Sequence, residues 1–252
     1  MSLEGKKVAL TGGSGGIGSR LAHELVRRRA DLVVIGRIEP QDLPGRFLAA
    51  DLGTAEGIDA AARIVAAEMP DILVNLAGVQ FFGAVEDQES SHVLMSYLVN
   101  LVAPVRLSQA VLPEMRRRQA GQIVNIGSVL GSIHYPYFVT YSSAKAGLRG
   151  FSEGLRREVA SDGIAVTHIA PRGVRTGLSK GLVERFANMS GMRLDDPEVV
   201  VTRIAEAIVR RERDVLIGAP ERLFARLNAL APRLIDSALV KDAAKARLLF
   251  HR

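Results

Sequence analysis

Of the chain's four tyrosines, only Tyr141 is followed four residues later by a lysine, Lys145, and Ser128 precedes it by thirteen. In a helix, positions i and i+4 share one face, so the Lys145 ammonium can stand beside the Tyr141 phenol. A neighbouring cation favours the ionised form of an acid, so the phenol's pKa is expected to fall from about 10 toward the working pH. Such a phenol can exchange a proton with a hydroxyl or carbonyl oxygen. Ser128, arriving from another segment, can hydrogen-bond the same oxygen and fix its position. Taken alone, the pair is equally a surface tyrosine with a solvated lysine.

A second candidate lies near the N-terminus. Val8, Ala9 and Leu10 read as a buried strand, Thr11-Gly12-Gly13-Ser14-Gly15-Gly16-Ile17-Gly18 as a turn, and Leu21, Ala22, Leu25 and Val26 recur at helical spacing. A glycine-rich turn between strand and helix lets backbone N–H groups approach a phosphate at the positive end of the helix dipole. By itself it is equally a tight strand-to-helix connection. The next apolar run, Leu32–Ile35, ends within about 20 residues of the glycines, as a dinucleotide-binding unit requires. It passes through Gly36 into Arg37, where NAD binding calls for an acidic residue that accepts from the ribose hydroxyls. The planar fork and fixed charge of Arg37 suit a 2′-phosphate, so the expected cofactor is NADP, with NAD possible. Glu39 nearby offers Arg37 a surface partner instead, and Ser14-Gly15 adds no second basic residue to the loop.

Thr11-Gly12-x-x-x-Gly16-x-Gly18, Asn75-Leu76-Ala77-Gly78, Asn100, Ser128 and Tyr141-x-x-x-Lys145 together resemble the short-chain dehydrogenase/reductase family, over roughly residues 5 to 218. The resemblance implies one doubly wound α/β domain that moves a hydride between a nicotinamide and an alcohol or carbonyl carbon. It makes Tyr141 the general acid/base and Lys145 its partner, which also holds the nicotinamide ribose. Ser128 would orient the substrate oxygen, and Asn100 would hold a water in the proton path; otherwise Asn100 is a helix residue bonding its own backbone. The dinucleotide would meet Thr11, Gly12, Ser14, Gly16, Ile17 and Gly18 in the loop, Arg37 at the second strand, and Asp51-Leu52 at the adenine. Asn75, Ala77 and Gly78 would border the adenosine ribose, and Pro171, Val174 and Thr176 the nicotinamide end. Asp51 is alternatively a helix N-cap or turn acid, and Asn75 a strand-end turn residue. Two departures stand out: Leu76 replaces the family's second asparagine, and Arg172 replaces the glycine after Pro171, placing a bulky cation near the expected carboxamide site.

The elements that must position these groups alternate strand and helix, the pattern of a parallel sheet covered on both faces. Expected strands are Lys7–Leu10, Leu32–Ile35, Arg46–Ala49, Ile72–Asn75, Gln122–Ile126, Ala165–Ala170 and Val215–Ile217. Helical stretches include Ile58–Glu68, His92–Arg118, Tyr141–Ser161 and Pro197–Arg211, with a kink or break expected from Pro104 and Pro113. Gly12, Asp51, Asn75 and Ser128 all follow strand ends, so one cleft beyond the carboxyl edge can collect them. Between Thr176 and Asp196, Leu178, Leu182, Val183, Phe186, Met189 and Met192 are either helix packing or the lining of an apolar substrate pocket. His134, Tyr135 and Phe138 offer another wall.

The chain has 252 residues, enough to bury one sizeable core, and no cysteine, which removes disulfides, thiolate nucleophiles and zinc-thiolate sites. The five histidines show no metal-ligand spacing; His168 reads as a core or strand-end residue. The chain runs from Met1 to Gly5 straight into the first strand, so no cleaved leader and a cytoplasmic location are expected. The longest uncharged stretch, Gln119 to Ala144, contains Gly121, Asn125, Gly127, Gly131, His134 and Pro136, and reads as strand, loop and helix start. Net charge is +6, but residues 219–252 hold seven basic and three acidic residues, leaving +2 for residues 1–218. Arg27-Arg28-Arg29 and Arg116-Arg117-Arg118 sit toward helix ends, so a solvated face explains them and no nucleic-acid partner is expected.

Two parts are thus expected: residues 1–218 as the cofactor-binding and catalytic domain, and 219–252 as a basic amphipathic extension. In the extension Leu223, Phe224, Leu227 and Leu230 share a helical face, with Arg222 and Arg226 off it. Pro232 breaks the pattern before Leu234, Ile235, Leu239 and Val240. This segment would dock on its own domain, on a neighbouring subunit, or less favourably on a membrane. The function expected is NADP-dependent transfer of hydride to or from a carbonyl or secondary alcohol on an apolar small molecule. By resemblance, the enzyme would be a homodimer or homotetramer joined through its fourth and fifth helices. The rival readings are a nucleotide-binding sensor without turnover and a membrane-docked reductase acting on lipids.

Overall fold

Short runs rich in Val, Ile and Leu form seven strands: β1 (Lys7–Thr11), β2 (Asp31–Gly36), β3 (Arg46–Ala49), β4 (Ile72–Asn75), β5 (Gly121–Ile126), β6 (Ile164–Pro171) and β7 (Asp214–Ile217). The computed structural model describes residues 2–250; Met1, His251 and Arg252 lie outside the described residues. The strands pair in the order β3-β2-β1-β4-β5-β6-β7, every pairing parallel. β4, at the centre, is buried at every position, as a strand covered on both faces must be.

Nine α-helices are seen among the described residues: α1 (Gly18–Arg27), α2 (Ala55–Glu68), α3 (Ser90–Tyr97), α4 (Ala103–Arg118), α5 (Val139–Glu158), α6 (Leu182–Ser190), α7 (Pro197–Arg210), α8 (Ala219–Leu230) and α9 (Pro232–Arg247). α1 packs with α7 over one face of the sheet, and α2 with α4 over the other. Each face has its own core, one around Leu10, Leu21 and Ile204 and the other around Leu73, Leu107 and Ile123. This is a doubly wound sheet with its crossover point between β1 and β4, where such folds open a ligand crevice.

The long stretch His92–Arg118 does break, but ahead of Pro104 and not at Pro113. Residues Leu98–Val102 form a π-helical turn between α3 and α4. Pro104 has no N–H to return to the carbonyl four residues back, that of Asn100, and a wider turn absorbs the mismatch. Pro113 is carried inside α4 without ending it. The arginine triplets are tied into surface ion pairs, Arg27 and Arg28 with Glu24, and Arg116 with Glu158 and Asp162. No helix among the described residues is long and apolar enough to cross a membrane.

The C-terminal segment folds as two helices that pack on the rest of the chain, α8 against β7 and α9 against α6. Its buried face differs from the expected one. Leu223 and Leu230 are 60% and 85% exposed, whereas Ala225 is buried. The docked side joins Ala225 and Leu227, which pack with Ile133, Ile235 and Leu239, to Asn228, whose amide donates to the Ser132 carbonyl at 2.9 Å; of the expected face Leu227 alone is held there. α9 buries Ile235 and Ala246, and Leu234 and Val240 stay exposed.

A buried polar chain crosses the centre of the sheet. Asn75 donates to Asn125 Oδ1 at 2.9 Å, Asn125 donates to Ser152 Oγ at 2.9 Å, and Ser152 donates to the Leu148 carbonyl at 2.7 Å. The chain ties β4 and β5 to α5. Replacing Asn125→Ala strands the Asn75 amide in the core and is expected to cost about 1–3 kcal/mol, read as a lower urea midpoint with an unchanged slope.

Candidate active site

The cleft lies where the crossover point predicts, beyond the carboxyl ends of the strands. Its volume is about 730 Å³, and it runs from the glycine loop past Arg37 and Asp51 to Ser128, Tyr141 and Lys145. The glycines are required by close approach. A Cβ on Gly12 would come within 2.7 Å of the Ala77 backbone, and one on Gly18 within 2.0 Å of the Gly12 carbonyl. Gly12 also has φ of 77°, in the left-handed region. Ser14, Gly16 and Ile17 line the cleft beside them, and no side chain caps the start of α1. The start of α1 therefore lies uncapped at the cleft, an arrangement that suits an anion.

Arg37 follows β2 on the cleft rim, and no hydrogen bond or ion pair of its side chain is seen among the described residues; Glu39 does not take it. Asp51 and Leu52 line the same end. The Asp51 carboxylate accepts from the Gly53 amide at 2.9 Å, while Thr54 caps α2. Asp51 is thus a turn acid that also borders the cleft. Ala77, Gly78, Pro171, Val174 and Thr176 line the cleft as expected. This set suits a dinucleotide: an uncapped helix start, a tightly packed glycine turn that lines the cleft, and a guanidinium with no partner seen among the described residues.

At the other end, β5 delivers Ser128 and α5 delivers Tyr141 and Lys145. Ser128 Oγ accepts from the Leu130 amide at 3.1 Å and lies near enough to the Tyr141 phenol to favour its ionised form. Lys145 Nζ is buried, donates to the Ile126 carbonyl at 2.9 Å, and stands 5.8 Å from the centre of the Tyr141 ring. The ionisation runs opposite to the sequence-based expectation. Burial pushes the Tyr141 phenol up to about 12, with Ser128 opposing it, and burial pulls Lys145 down to about 8. A dry site penalises both charges, and at this separation desolvation outweighs the pairing.

Asn100 sits in the π-helical turn, fully buried, and donates to the Val79 and Ser96 carbonyls at 2.8 and 2.9 Å. Its Oδ1 has no protein partner. The position a Cβ would occupy on Gly78 is 3.1 Å from that oxygen and 3.8 Å from Lys145 Nζ, so glycine leaves a gap between the two.

Several expected residues lie elsewhere. The Thr11 and Asn75 side chains are not brought to the cleft. Thr11 Oγ1 accepts from the Leu76 and Ala77 amides at 3.1 Å, holding the next loop in place, and Asn75 turns into the buried polar chain. Arg172 is no loose cation: its fork grips Asp195 at 2.6 and 2.9 Å and reaches Glu221 at 3.1 Å. Those carboxylates, 23 and 49 residues away, gave no signal in the sequence. Leu178, Val183, Met192, Tyr135 and Phe138 line the cleft. Phe186 is core, while Leu182, Met189 and His134 are exposed. His168 lies buried in β6, with Nδ1 2.9 Å from Asp214.

The chain is similar to known proteins over most of its length. A family model described as short chain dehydrogenase matches residues 6–186. The chain is 34% identical to 3-oxoacyl-acyl-carrier-protein reductase FabG of Vibrio harveyi, covering 89% of this chain and 94% of that protein. It superposes on a short-chain dehydrogenase from Sphingobium yanoikuyae in complex with NADPH with a TM-score of 0.78 at 26% identity, covering 92% of this chain and 95% of that one. A 4-hydroxyisoleucine dehydrogenase complexed with NADH superposes with a TM-score of 0.76 at 25% identity, covering 84% of this chain and 96% of that one.

The buried lysine has a thermodynamic signature. Unfolded, it keeps its proton up to about 10.5; folded, only up to about 8. Between these values the unfolded state holds more protons, so this residue makes stability rise with pH. Lys145→Met is therefore expected to be more stable than the wild type by up to roughly 3 kcal/mol below pH 8. The advantage should shrink to nothing by about pH 10.5, as urea melts of both proteins across that range will read.

Proposed function

The chain belongs to the short-chain dehydrogenase family, and we propose that it is an NADP-dependent reductase of ketones on apolar small molecules. The observation that supports this reading most is geometric: Ser128, Tyr141 and Lys145 stand together at one end of a cleft whose other end is lined by the glycine loop and Arg37. Burial holds the Tyr141 proton on, with a pKa of about 12, so the site keeps a donor in readiness for a carbonyl oxygen. When bound, the reduced dinucleotide supplies the hydride.

This chain's own residues do the rest. Ser128 Oγ–H and the Tyr141 phenol converge on the carbonyl oxygen and orient it. As the carbon accepts the hydride, the phenol proton passes to the oxygen and the product leaves as an alcohol. The phenol recovers its proton from the Lys145 side, and Asn100 Oδ1 with the gap beside Gly78 holds the water that leads to it. Lys145 also has the reach to hold a ribose hydroxyl from the cleft wall. Arg37 pairs with the 2′-phosphate, while the start of α1 takes the diphosphate. Homo-oligomer assembly through α4 and α5 remains part of the proposal.

Tyr141→Phe is expected to abolish turnover while leaving NADPH affinity within a few-fold, because only the exchangeable proton is lost. Substantial ketone reduction by that variant would remove the assignment. Arg37→Asp is expected to weaken NADPH binding roughly 10- to 100-fold, the scale of a lost charged hydrogen bond, with NADH binding unchanged or improved. Fluorescence titration of both proteins with both cofactors reads it, and a wild type that prefers NADH overturns the cofactor choice.

A further inference from the structure

α8 and α9 lie beyond the residues that the family model matches, yet they build one wall of the catalytic cleft. Phe224 of α8 and Ile235, Ala238 and Leu239 of α9 face into it. Four anchors fix the pair in place. Asn228 donates to the Ser132 carbonyl, and Tyr135 donates to the Asp242 carboxylate. Tyr137 stacks on Phe250 at 5.3 Å with the rings only 10° from parallel, and Arg172 grips Glu221. Three of the four land on the segment between Ser128 and Tyr141, which carries the reacting hydroxyls at its two ends. The fourth lands on the turn after β6. The helical pair is therefore bolted to the reacting end of the cleft, not merely laid on the surface.

The wall also has a definite chemistry. Its inward side chains are apolar, and its carboxylates are engaged: Glu221 with Arg172, Asp242 with both the Tyr135 phenol and Lys245. It offers a substrate contact area and no free charge. The lining of the cleft also includes Val183 and Met192, from α6 and the segment after it, so an uncharged chain meets apolar atoms from more than one element.

We propose that α8 and α9 form the specificity-determining wall of the substrate chamber, selecting ketones that carry an extended, uncharged apolar tail lying against Phe224 and Leu239. This rests on the reductase reading above for turnover, though not for binding. Ala238 lines the cleft beside Leu239 and is exposed, so a larger side chain there has room without displacing its neighbours.

The test compares 2-butanone with 2-undecanone in the full-length protein. Ala238→Phe is expected to lower the ratio of kcat/KM for 2-undecanone over 2-butanone at least tenfold. Ala238→Leu should act in the same direction by less, which covers a failure of the larger variant to fold. Leu223→Ala, on the outward side of α8, should leave the ratio unchanged. Equal ratios in the wild type and both Ala238 variants, with NADPH affinity retained, overturn the proposal. Calorimetric binding of 2-undecanone to the NADP-loaded protein separates the two readings. If the wild type turns over neither ketone, the reductase reading fails, and tenfold weaker binding by Ala238→Phe still supports the wall. No binding by the wild type, or equal binding by both, overturns it.

Discussion

An ammonium group buried under a helix has to find a carbonyl, and much of this site is arranged around that demand. Lys145 finds the Ile126 oxygen at the end of β5, which fixes α5 against the sheet edge. The approach is close enough that a Cβ on Gly131 would lie 2.8 Å from the Lys145 backbone, so the segment leaving Ser128 must pass there as glycine. With α5 held, Tyr141 sits one turn earlier on the same face and meets Ser128. The dryness that makes the lysine costly also keeps the phenol protonated. Placement and proton inventory therefore share one cause.

The π-helical turn belongs to the same economy of buried polarity. A regular helix through Leu98–Val102 would point its residues elsewhere and leave the Pro104 mismatch unabsorbed. The wide turn lets Asn100 donate into the Val79 and Ser96 carbonyls and leaves its oxygen aimed at the gap by Gly78. Unpartnered buried oxygens are uncommon in folded proteins, and this one borders a gap that it shares with the Lys145 ammonium.

Arg172 shows how a departure from a family pattern is absorbed. A guanidinium beside the nicotinamide end would add charge where the reaction needs none, but Asp195 and Glu221 draw it sideways and hold its proton still more firmly. The same grip recruits α8 to the turn after β6. The C-terminal helices and the departure at Arg172 thus form a single arrangement, in which a side chain that looks out of place at the cleft is the fastening of its wall.

The sequence by itself determined the sheet, because strands buried on both faces must be short, apolar and evenly interrupted; all seven were legible within one or two residues of their ends. It also pointed to Ser128, Tyr141, Lys145 and the glycine loop, which share one cleft in the structure, because local spacing marks most of them: a lysine one turn from a tyrosine, glycines between a strand and a helix. What depends on distance along the chain was not legible. The direction of the Tyr141 and Lys145 shifts follows from burial, which many segments create together. The inward turn of Asn75 follows from Asn125, 50 residues on, and the fastening of α9 from Tyr135, 107 residues before Asp242. Of the α8 face read from helical periodicity, Leu227 packs inward while Leu223 and Leu230 stay out, because Asn228 and Ala225 set the side that docks. Periodicity reports what a helix can bury; only the surface it meets decides what it does bury.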